Sequence, residues 1–415
     1  MLPLSRAYMY LLLSQLFTAF AFASPLADQQ PLQGQNDTRD GISVDFFASL
    51  ERLSRLVDIT YCVGTTGISR PFSCVSRCKD FPTLDLVTTW NTGALMSDSC
   101  GYIAVDHGTE PPPSQSSADA GEDGQSRDGE TSQRAIIVAF RGTYSITNTI
   151  IDLSTVPQEY VPYPAPDDGG PESPKEPEHK CHNCTVHMGF LASWQTAREV
   201  VLSALKPLHE AYPDYPIYLI GHSLGGAVAA LAALELKVVS GWDNLIVTTF
   251  GEPRVGNDGF VKYLNAVFEL GMSATHSEEW TYRRVTHVDD PVPLLPLSEW
   301  GYKSHAGEIF ISEPDLPPEP SDIFPCVGDC DPRCVAGSPG EYLKRVAQRF
   351  TEKSTDADSA AWTKGLWDFP TRFKLWELFF AHRDYFWRLG LCVPGGDPID
   401  WDRDRYPNFA SSDEL

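Results

Sequence analysis

The sequence is short of basic residues, with 32 Lys and Arg against 56 Asp and Glu in 415 residues and a formal net charge of −24. So negative a surface repels phosphate backbones and anionic membrane faces, which argues against nucleic acid as a partner. Long apolar runs are also scarce beyond the N-terminus, so no transmembrane segment is expected in the rest of the chain. The hydrophobic content of 42% nevertheless suffices for a folded globular protein.

The one long apolar run lies at the N-terminus. Arg6 precedes an apolar stretch, 7–23, that ends in the small-residue motif Ala-Phe-Ala, which signal peptidase prefers. The stretch is shorter than a membrane span requires and is interrupted by polar residues. We therefore expect a signal peptide at 1–23 and one mature domain at 24–415.

Secretion gives meaning to two other features. Acceptor sequons for N-glycosylation begin at Asn36 and Asn183. The chain ends in Ser-Asp-Glu-Leu at 412–415, which is close to the retention signals of the endoplasmic reticulum but has Ser in the first position. We expect an extracellular protein, and retention in the endoplasmic reticulum is the alternative.

Three stretches have the composition of inserted loops. Residues 107–133 lack apolar periodicity and separate two strand-like runs, which predicts a hairpin with a long loop. Residues 157–180 and 311–340 hold seven prolines each, so neither is expected to supply a central strand or helix.

Between these loops, apolar strands alternate with helices. The pattern predicts strands at 216–221, 245–250 and 280–286, and helices at 224–239 and 259–270. Such alternation is typical of an α/β fold with a mostly parallel central sheet flanked by helices.

The turn between the first of these strands and its helix has the sequence Gly-His-Ser-Leu-Gly, with the serine at position 223. A nucleophilic serine must be raised above the sheet on a sharp turn, and flanking glycines relieve the crowding that such a turn creates. We therefore predict that Ser223 is the nucleophile of a serine hydrolase. The structural alternative is an ordinary serine at the start of a helix.

A serine hydroxyl needs a base, and in strand-turn-helix hydrolases an acid and then a histidine follow the serine in the chain. Asp290 lies just beyond a predicted strand, where α/β sites gather, and Asp289 is its rival. His305 and His382 both satisfy the order. The residues alone do not choose between these two histidines.

Several motifs resemble those of the filamentous-fungal class 3 lipases, a family that also includes feruloyl esterases. They occur in the family's order between about residues 45 and 393: AFRGT at 139–143, VHxGF at 186–190 with SW at 193–194, GHSLGGA at 221–227, FGEPRVGN at 250–257 and RVTHxxDxxP at 284–293. The resemblance implies an α/β-hydrolase fold and acylglycerol lipase activity, and it assigns His305 to a non-catalytic segment.

The resemblance also implies the roles of the site residues. Ser223 is the nucleophile, Asp290 the acid and His382 the base. Thr143 is implied to supply one contact to the oxyanion, and the N–H of Leu224, the residue after the nucleophile, supplies the other. This chemistry requires no metal and no cofactor.

A short helix is expected directly after this threonine, with Ile146, Ile150 and Leu153 on one apolar stripe. In the resembled lipases this position is the lid, which would rest on the closed site in water and on lipid when open. A fixed core helix is the alternative.

Only the lid and the acyl pocket separate a lipase from a feruloyl or other small-ester esterase, which remains the alternative function. A third hypothesis is a retained secretory-pathway protein with a vestigial site.

The ten cysteines are typical of an oxidising compartment. The resemblance implies three disulfides, namely Cys62–Cys392, Cys74–Cys78 and Cys181–Cys184. Four cysteines remain without a family template: Cys100, Cys326, Cys330 and Cys334. They allow three disulfide pairings, and a zinc site is the rival for the last three of them.

Overall fold

A computed structural model describes residues 41–93, 98–108, 134–143, 157–159, 181–271, 277–338 and 381–394. All of these residues belong to one compact unit, Asp40–Leu415. Several predicted features lie outside the described residues, namely the signal peptide at 1–23, the sequon at Asn36 and the lid residues Ile146, Ile150 and Leu153. Within the described part of the chain, no helix is both long and apolar enough to cross a membrane.

The described residues form four α-helices and twelve strands, and helices alternate with strands in the middle of the chain, between residues 185 and 287. The helices are α1 Val44–Ile59, α2 Met188–Ala211, α3 Leu224–Val238 and α4 Asp258–Val267. The strands are β1 Leu84–Asn91, β2 Cys100–Asp106, β3 Ala135–Phe140, β4 Pro157–Glu159, β5 Thr185–His187, β6 Ile217–His222, β7 Leu245–Phe250, β8 Gly256–Asn257, β9 Tyr282–His287, β10 Tyr302–Lys303, β11 Glu308–Ile311 and β12 Ile323–Pro325. Short 3-10 helices lie at Thr60–Cys62, Arg77–Asp80, Ser277–Glu279, Val292–Leu294, Ser298–Trp300 and Pro320–Asp322.

Most of these strands form one mixed sheet in the order β1-β2-β3-β6-β7-β9-β11-β12. The five strands from β3 to β11 run parallel to one another. Antiparallel partners lie at both ends, β1 and β2 at one edge and β12 at the other. The short strands β4, β5, β8 and β10 form a separate antiparallel sheet. The structure therefore confirms a mostly parallel central sheet.

Helices cover both faces of this sheet, as the alternation along β3 shows. Ile136 and Val138 pack into the core formed with α2, α3 and α4. Ile137 and Ala139 pack into the opposite core, formed with α1 and the segment 381–394. Because successive side chains of a strand point to opposite faces, a strand that is covered on both faces is apolar throughout. The result is a three-layer α/β-hydrolase architecture.

Helix α3 lies at the centre of one core. Every residue from Leu224 to Leu236 is buried, which is why the helix is apolar on all sides rather than amphipathic. The one acidic side chain among them, Glu235, accepts a hydrogen bond from Trp194 Nε1 at 2.7 Å and pairs with Arg198. A helix held from every side gives its first residue, at the carboxyl end of β6, a fixed position.

Each of the three predicted loop regions includes described residues, and 157–180 begins with β4, a short strand of the separate sheet. Strands β2 and β3 pair antiparallel from Asp106 and Ala135 onward, which is the hairpin expected around 107–133. The stretch 311–340 is not all loop, because β12 pairs with β11 at the sheet edge. Pro325 ends this strand, at an edge position where a missing N–H is tolerated.

The structure forms the three disulfides that the resemblance implies, Cys62–Cys392, Cys74–Cys78 and Cys181–Cys184. A fourth disulfide joins Cys326 to Cys334. The thiol of Cys100 is buried and that of Cys330 is exposed, and neither is in a disulfide. Among the described residues no cluster of metal-ligating side chains is present.

The segment 381–394 is fastened to the N-terminal helix region from several sides. Cys392 is bonded to Cys62, and the Gly390 N–H donates to Asp58 Oδ1 at 2.7 Å. The rings of Phe47 and Phe386 meet edge to face, with 5.1 Å between their centroids. These contacts hold a late part of the chain against the face of the sheet.

Removing the Cys62–Cys392 disulfide by a double exchange to Ser should lower the free energy of unfolding by about 2–5 kcal/mol. The bond spans a sequence separation of 330 residues. Its loss therefore increases the conformational entropy of the unfolded chain more than the loss of a short-range disulfide would. The matched control is the double exchange to Ser at Cys181 and Cys184, whose separation is 3 residues, and it should cost clearly less. Urea unfolding of both variants makes the comparison, and equal losses would contradict the account.

Candidate active site

Ser223 joins the end of β6 to the start of α3 on a sharp turn. Its backbone angles are φ 58° and ψ −129°, a conformation that a residue other than glycine adopts only where its surroundings enforce it. A Cβ on Gly221 would lie 2.2 Å from the carbonyl oxygen of Gly225. A Cβ on Gly225 would lie 2.3 Å from the carbonyl oxygen of Phe140. The close approach of these backbones is the physical reason for the Gly-x-Ser-x-Gly motif.

The loop after β3 passes alongside this serine. A Cβ on Gly142 would lie 3.0 Å from the Cβ of Ser223. Arg141 Nε donates to the Gly142 carbonyl at 3.2 Å. In a trans peptide the C=O and N–H groups point in opposite directions, so this contact turns the Thr143 N–H away from Arg141. The Leu224 N–H belongs to the first turn of α3, where amides lack partners within the helix.

His382 and Asp290 form a buried pair in which both side chains are 0% exposed. His382 Nδ1 lies 2.9 Å from Asp290 Oδ1 and 2.8 Å from Oδ2. Because an ionised carboxylate can only accept, Nδ1 carries a proton, and the neutral ring leaves Nε2 as an acceptor. The Tyr385 hydroxyl and the Val292 N–H also donate to Asp290, at 2.5 and 2.8 Å. Of the two candidate acids, it is Asp290 that contacts the histidine.

Gly251, directly after β7, lies against the acid and the histidine. Its φ of 59° suits glycine, and a Cβ there would lie 2.8 Å from His382 Cε1 and 2.9 Å from Asp290 Oδ2. The preceding residue, Phe250, accepts the Ser223 N–H at 2.9 Å. The three candidate residues therefore meet beside the carboxyl ends of β6, β7 and β9, the edge at which α/β sheets bind their ligands.

The buried side-chain atoms at this edge that make no hydrogen bond with the described residues include Ser223 Oγ, His382 Nε2 and Thr143 Oγ1. Buried polar atoms in folded proteins are nearly always paired, so unpaired ones need an explanation. A free hydroxyl and a free imidazole acceptor are the groups that proton transfer to and from a reacting molecule requires. The arrangement is suited to nucleophilic attack on a carbonyl group.

His305, the other histidine that fits the order, has a different environment. Its Nε2 lies 3.0 Å from Glu252 Oε1 and its Nδ1 lies 2.6 Å from the Ala306 carbonyl. Glu252 also accepts hydrogen bonds from the hydroxyls of Thr249 and Tyr282, at 2.6 and 2.9 Å. Both ring nitrogens are thus engaged in a buried polar network. His305 has no nitrogen left to act as a base, and the structure separates two histidines that the residue order could not.

The sequence analysis assigned no role to two parts of this site. Tyr385 donates to the carboxylate of Asp290, and Gly251 leaves room for the histidine ring. The available signals were a hydroxyl three residues after His382 and the glycine of the FGEPRVGN motif directly after the strand 245–250. Neither signal has meaning before the distant segments are brought together.

The second sequon lies within the described residues. The side chain of Asn183 is exposed and belongs to the short loop closed by the Cys181–Cys184 disulfide. Its position is compatible with a surface glycan. Glycosylation of Asn183 stays a prediction.

Comparison with known proteins gives consistent matches. The family model for class 3 lipases matches residues 137–300. The chain is 61% identical over 376 residues to secreted mono- and diacylglycerol lipase 2 of Gibberella zeae, covering 90% of this chain and 88% of the relative. It is 58% identical over 404 residues to lipase A of Sodiomyces alcalophilus, covering 95% and 93%. The crystal structure of a lipase from Yarrowia lipolytica matches with a TM-score of 0.63 at 28% identity, covering 85% and 97%.

Replacing His305 by Ala should lower the free energy of unfolding by about 3–5 kcal/mol, because the buried Glu252 loses the contact at Oε1 and keeps only the two hydroxyl donors at Oε2. The matched control is His107→Ala. His107 also faces a carboxylate, Asp85, at 3.2 Å, but both of these side chains are exposed, so the cost should be about 1 kcal/mol or less.

Urea unfolding of both variants tests this contrast between buried and exposed pairs. His305→Gln, which keeps a donor towards Glu252, should recover most of the loss. Equal stability of the two Ala variants would contradict the assignment of His305 to a structural network.

Proposed function

The chain belongs to the class 3 lipase family, and we propose that it is a secreted acylglycerol lipase in which Ser223 is the nucleophile, His382 the base and Asp290 the acid. The enzyme class, a carboxylic ester hydrolase, follows from its named relatives. The roles of the three residues are our assignment. One observation carries it: His382 is held at Nδ1 by Asp290 while its Nε2 and the Ser223 hydroxyl are both buried and unpaired.

In the first half of the reaction, His382 Nε2 takes the proton of the Ser223 hydroxyl as its oxygen attacks the ester carbonyl. Asp290 keeps the ring in the required tautomer and stabilises the imidazolium that forms. The tetrahedral intermediate then collapses, the bond to the glycerol oxygen breaks, and His382 returns the proton to that oxygen. The acyl group remains on Ser223 as an ester.

In the second half, water replaces the alcohol. His382 takes a proton from the water, the hydroxide attacks the acyl-enzyme, and the fatty acid leaves as the proton returns to Ser223. Both tetrahedral intermediates carry a negative oxygen. The amides of Thr143 and Leu224 are the proposed donors to it, and such a donor contributes about 3 kcal/mol to transition-state stabilisation.

Acylglycerols with one or two acyl chains are the substrates we propose. The relative with 61% identity over 90% of this chain is named a secreted mono- and diacylglycerol lipase. Secretion of the relative also supports an extracellular location for this chain. The lid that we propose at 146–153, a segment with Ile146, Ile150 and Leu153, would make the rate depend on a lipid surface.

The other hypotheses have less support. The named relatives are lipases, which disfavours a feruloyl or other small-ester esterase. A vestigial site is disfavoured because the serine, the histidine and the acid still lie together with their supporting hydrogen bonds.

Asp290→Asn should lower kcat on a soluble ester by about ten-thousandfold, because an amide in place of the carboxylate favours the wrong tautomer of His382. The matched control is Asp289→Asn, the same exchange one residue earlier in the chain. It should leave kcat within about threefold, because both carboxylate oxygens that His382 Nδ1 contacts belong to Asp290.

We would measure kcat of both variants from initial rates below the solubility limit of the ester. The unfolding midpoint of each variant would show that it is folded. An Asp290→Asn enzyme that keeps a tenth of the wild-type kcat would contradict the proposed role, as would equal losses in the two variants.

The substrate class is tested with emulsified acylglycerols that carry the same acyl chain. We expect faster release of fatty acid from mono- and diacylglycerol than from triacylglycerol, and none from a Ser223→Ala blank. A jump in rate as each substrate passes its solubility limit would agree with the proposed lid. Faster hydrolysis of a soluble hydroxycinnamate ester than of any acylglycerol would instead support the esterase alternative.

A further inference from the structure

His222, the residue before the nucleophile, has a buried side chain that the mechanism above does not use. The ring is 1% exposed and lies between two groups that are far away in the sequence. Its Nδ1 is 2.6 Å from the Tyr61 hydroxyl oxygen, and its Nε2 is 2.8 Å from the main-chain carbonyl oxygen of His382. The ring therefore bridges the N-terminal region and the segment that carries the proposed base.

The chemistry of the partners fixes the direction of these hydrogen bonds. A carbonyl oxygen can only accept, so His222 Nε2 is the donor to His382. Burial, with a further contribution from the neighbouring His382, lowers the pKa of His222 well below 6.5, so the ring is neutral near pH 7. A neutral ring with its proton on Nε2 has an acceptor at Nδ1, and the Tyr61 hydroxyl donates to it.

Tyr61 extends this chain of hydrogen bonds to the other side of the site. Its oxygen accepts the N–H of Gly142, and a Cβ on Gly142 would lie only 2.5 Å from that oxygen. Gly142 precedes Thr143, whose amide we assign to the oxyanion. The carbonyl of Gly142 is held by Arg141, so both faces of this short loop are fixed by side chains.

We propose that Tyr61 and His222 are positioning residues that connect the oxyanion loop at Gly142 to the main chain of His382. The connection runs from the Gly142 N–H to the Tyr61 oxygen, from the Tyr61 hydroxyl to His222 Nδ1, and from His222 Nε2 to the His382 carbonyl. It sets the oxyanion donors and the base at a fixed distance on either side of Ser223. The inference rests on the proposed function, since it assumes that these groups act on one ester.

This geometry matters because the reacting groups come from separate parts of the chain. A displacement of about 1 Å in a catalytic group can cost about a hundredfold in rate. Tyr61 and His222 touch the loop, the turn and the histidine segment at once, and both side chains are fully enclosed. Neither contacts the ester in the proposed mechanism, so losing either should act on kcat rather than on KM.

The first test compares two buried tyrosines. Tyr61→Phe removes the hydroxyl at the centre of the connection. The matched control is Tyr102→Phe, because Tyr102 is equally buried and its hydroxyl donates to the Leu56 carbonyl at 2.8 Å, within the core. Tyr61→Phe should lower kcat on a soluble ester by about tenfold or more, with KM within about twofold. Tyr102→Phe should lower the unfolding midpoint by a similar amount and leave kcat within about twofold.

The second test removes one end of the His222 bridge at a time. The amide nitrogen of Gln can take the place of Nε2, so His222→Gln keeps the donor to His382 and loses the acceptor for Tyr61. The side-chain oxygen of Asn can take the place of Nδ1, so His222→Asn keeps the acceptor and loses the donor. Both variants should lose kcat. The double variant of Tyr61→Phe with His222→Gln should lose no more than the larger single loss, because both remove the same link.

The outcomes separate this inference from the proposed function. Equal kcat in Tyr61→Phe and Tyr102→Phe, a wild-type kcat in His222→Gln, or losses that multiply in the double variant would overturn the connection alone. A wild-type enzyme no more active than Ser223→Ala would overturn the proposed function, and this inference with it.

Discussion

The sharp turn at Ser223, with its positive φ, is the constraint on which the rest of the site depends. Such a backbone conformation costs about 1–3 kcal/mol at a residue other than glycine, and it persists because the surrounding structure leaves no alternative. Helix α3 starts at this turn and is buried for most of its length. Phe250 accepts the serine N–H from the next strand. The large buried core on this face of the sheet thus offsets the strain of one residue.

The same constraint explains why the site lies where it does. The turn stands at the carboxyl end of a parallel strand, at the edge where the loops after β3, β7 and β9 also begin. Gly142 and Gly251 are the points at which two of these loops come close enough to touch the reacting groups, and neither position has room for a side chain. The acid and the histidine then approach from β9 and from the late segment 381–394. The disulfide of that segment to Cys62 is therefore part of the support of the site as well as of the fold.

The protein has two buried pairs of a histidine and a carboxylate. Their surroundings determine whether such a pair can take part in a reaction or only stabilise the fold. His305 with Glu252 and His382 with Asp290 have similar distances, 3.0 and 2.8 Å. In the first pair both ring nitrogens are bonded, so the pair can only stabilise the fold. In the second pair one nitrogen is free. A free acceptor at the same edge of the sheet as a free hydroxyl, rather than the presence of a histidine and an acid, distinguishes a reaction site from a structural network.

This distinction also marks the limit of prediction from the sequence. Local signals sufficed for β7, whose bounds 245–250 agree with the prediction, and for the glycines around Ser223, because strand periodicity and turn crowding act between near neighbours. The pairing of Cys326 with Cys334 needed the actual distances between cysteines. The choice of His382 came from family resemblance and not from the residues. The link through Tyr61 had no sequence signal, since it joins residues 61, 142, 222 and 382.

The most direct test of the central claim is covalent labelling with a fluorophosphonate, followed by mass spectrometry of the digested protein. The account predicts one adduct, on the peptide that contains Ser223, at a rate that falls by about a thousandfold or more in His382→Ala because the hydroxyl is then without its base. Labelling at another residue, or an adduct on Ser223 that forms equally fast without His382, would contradict it.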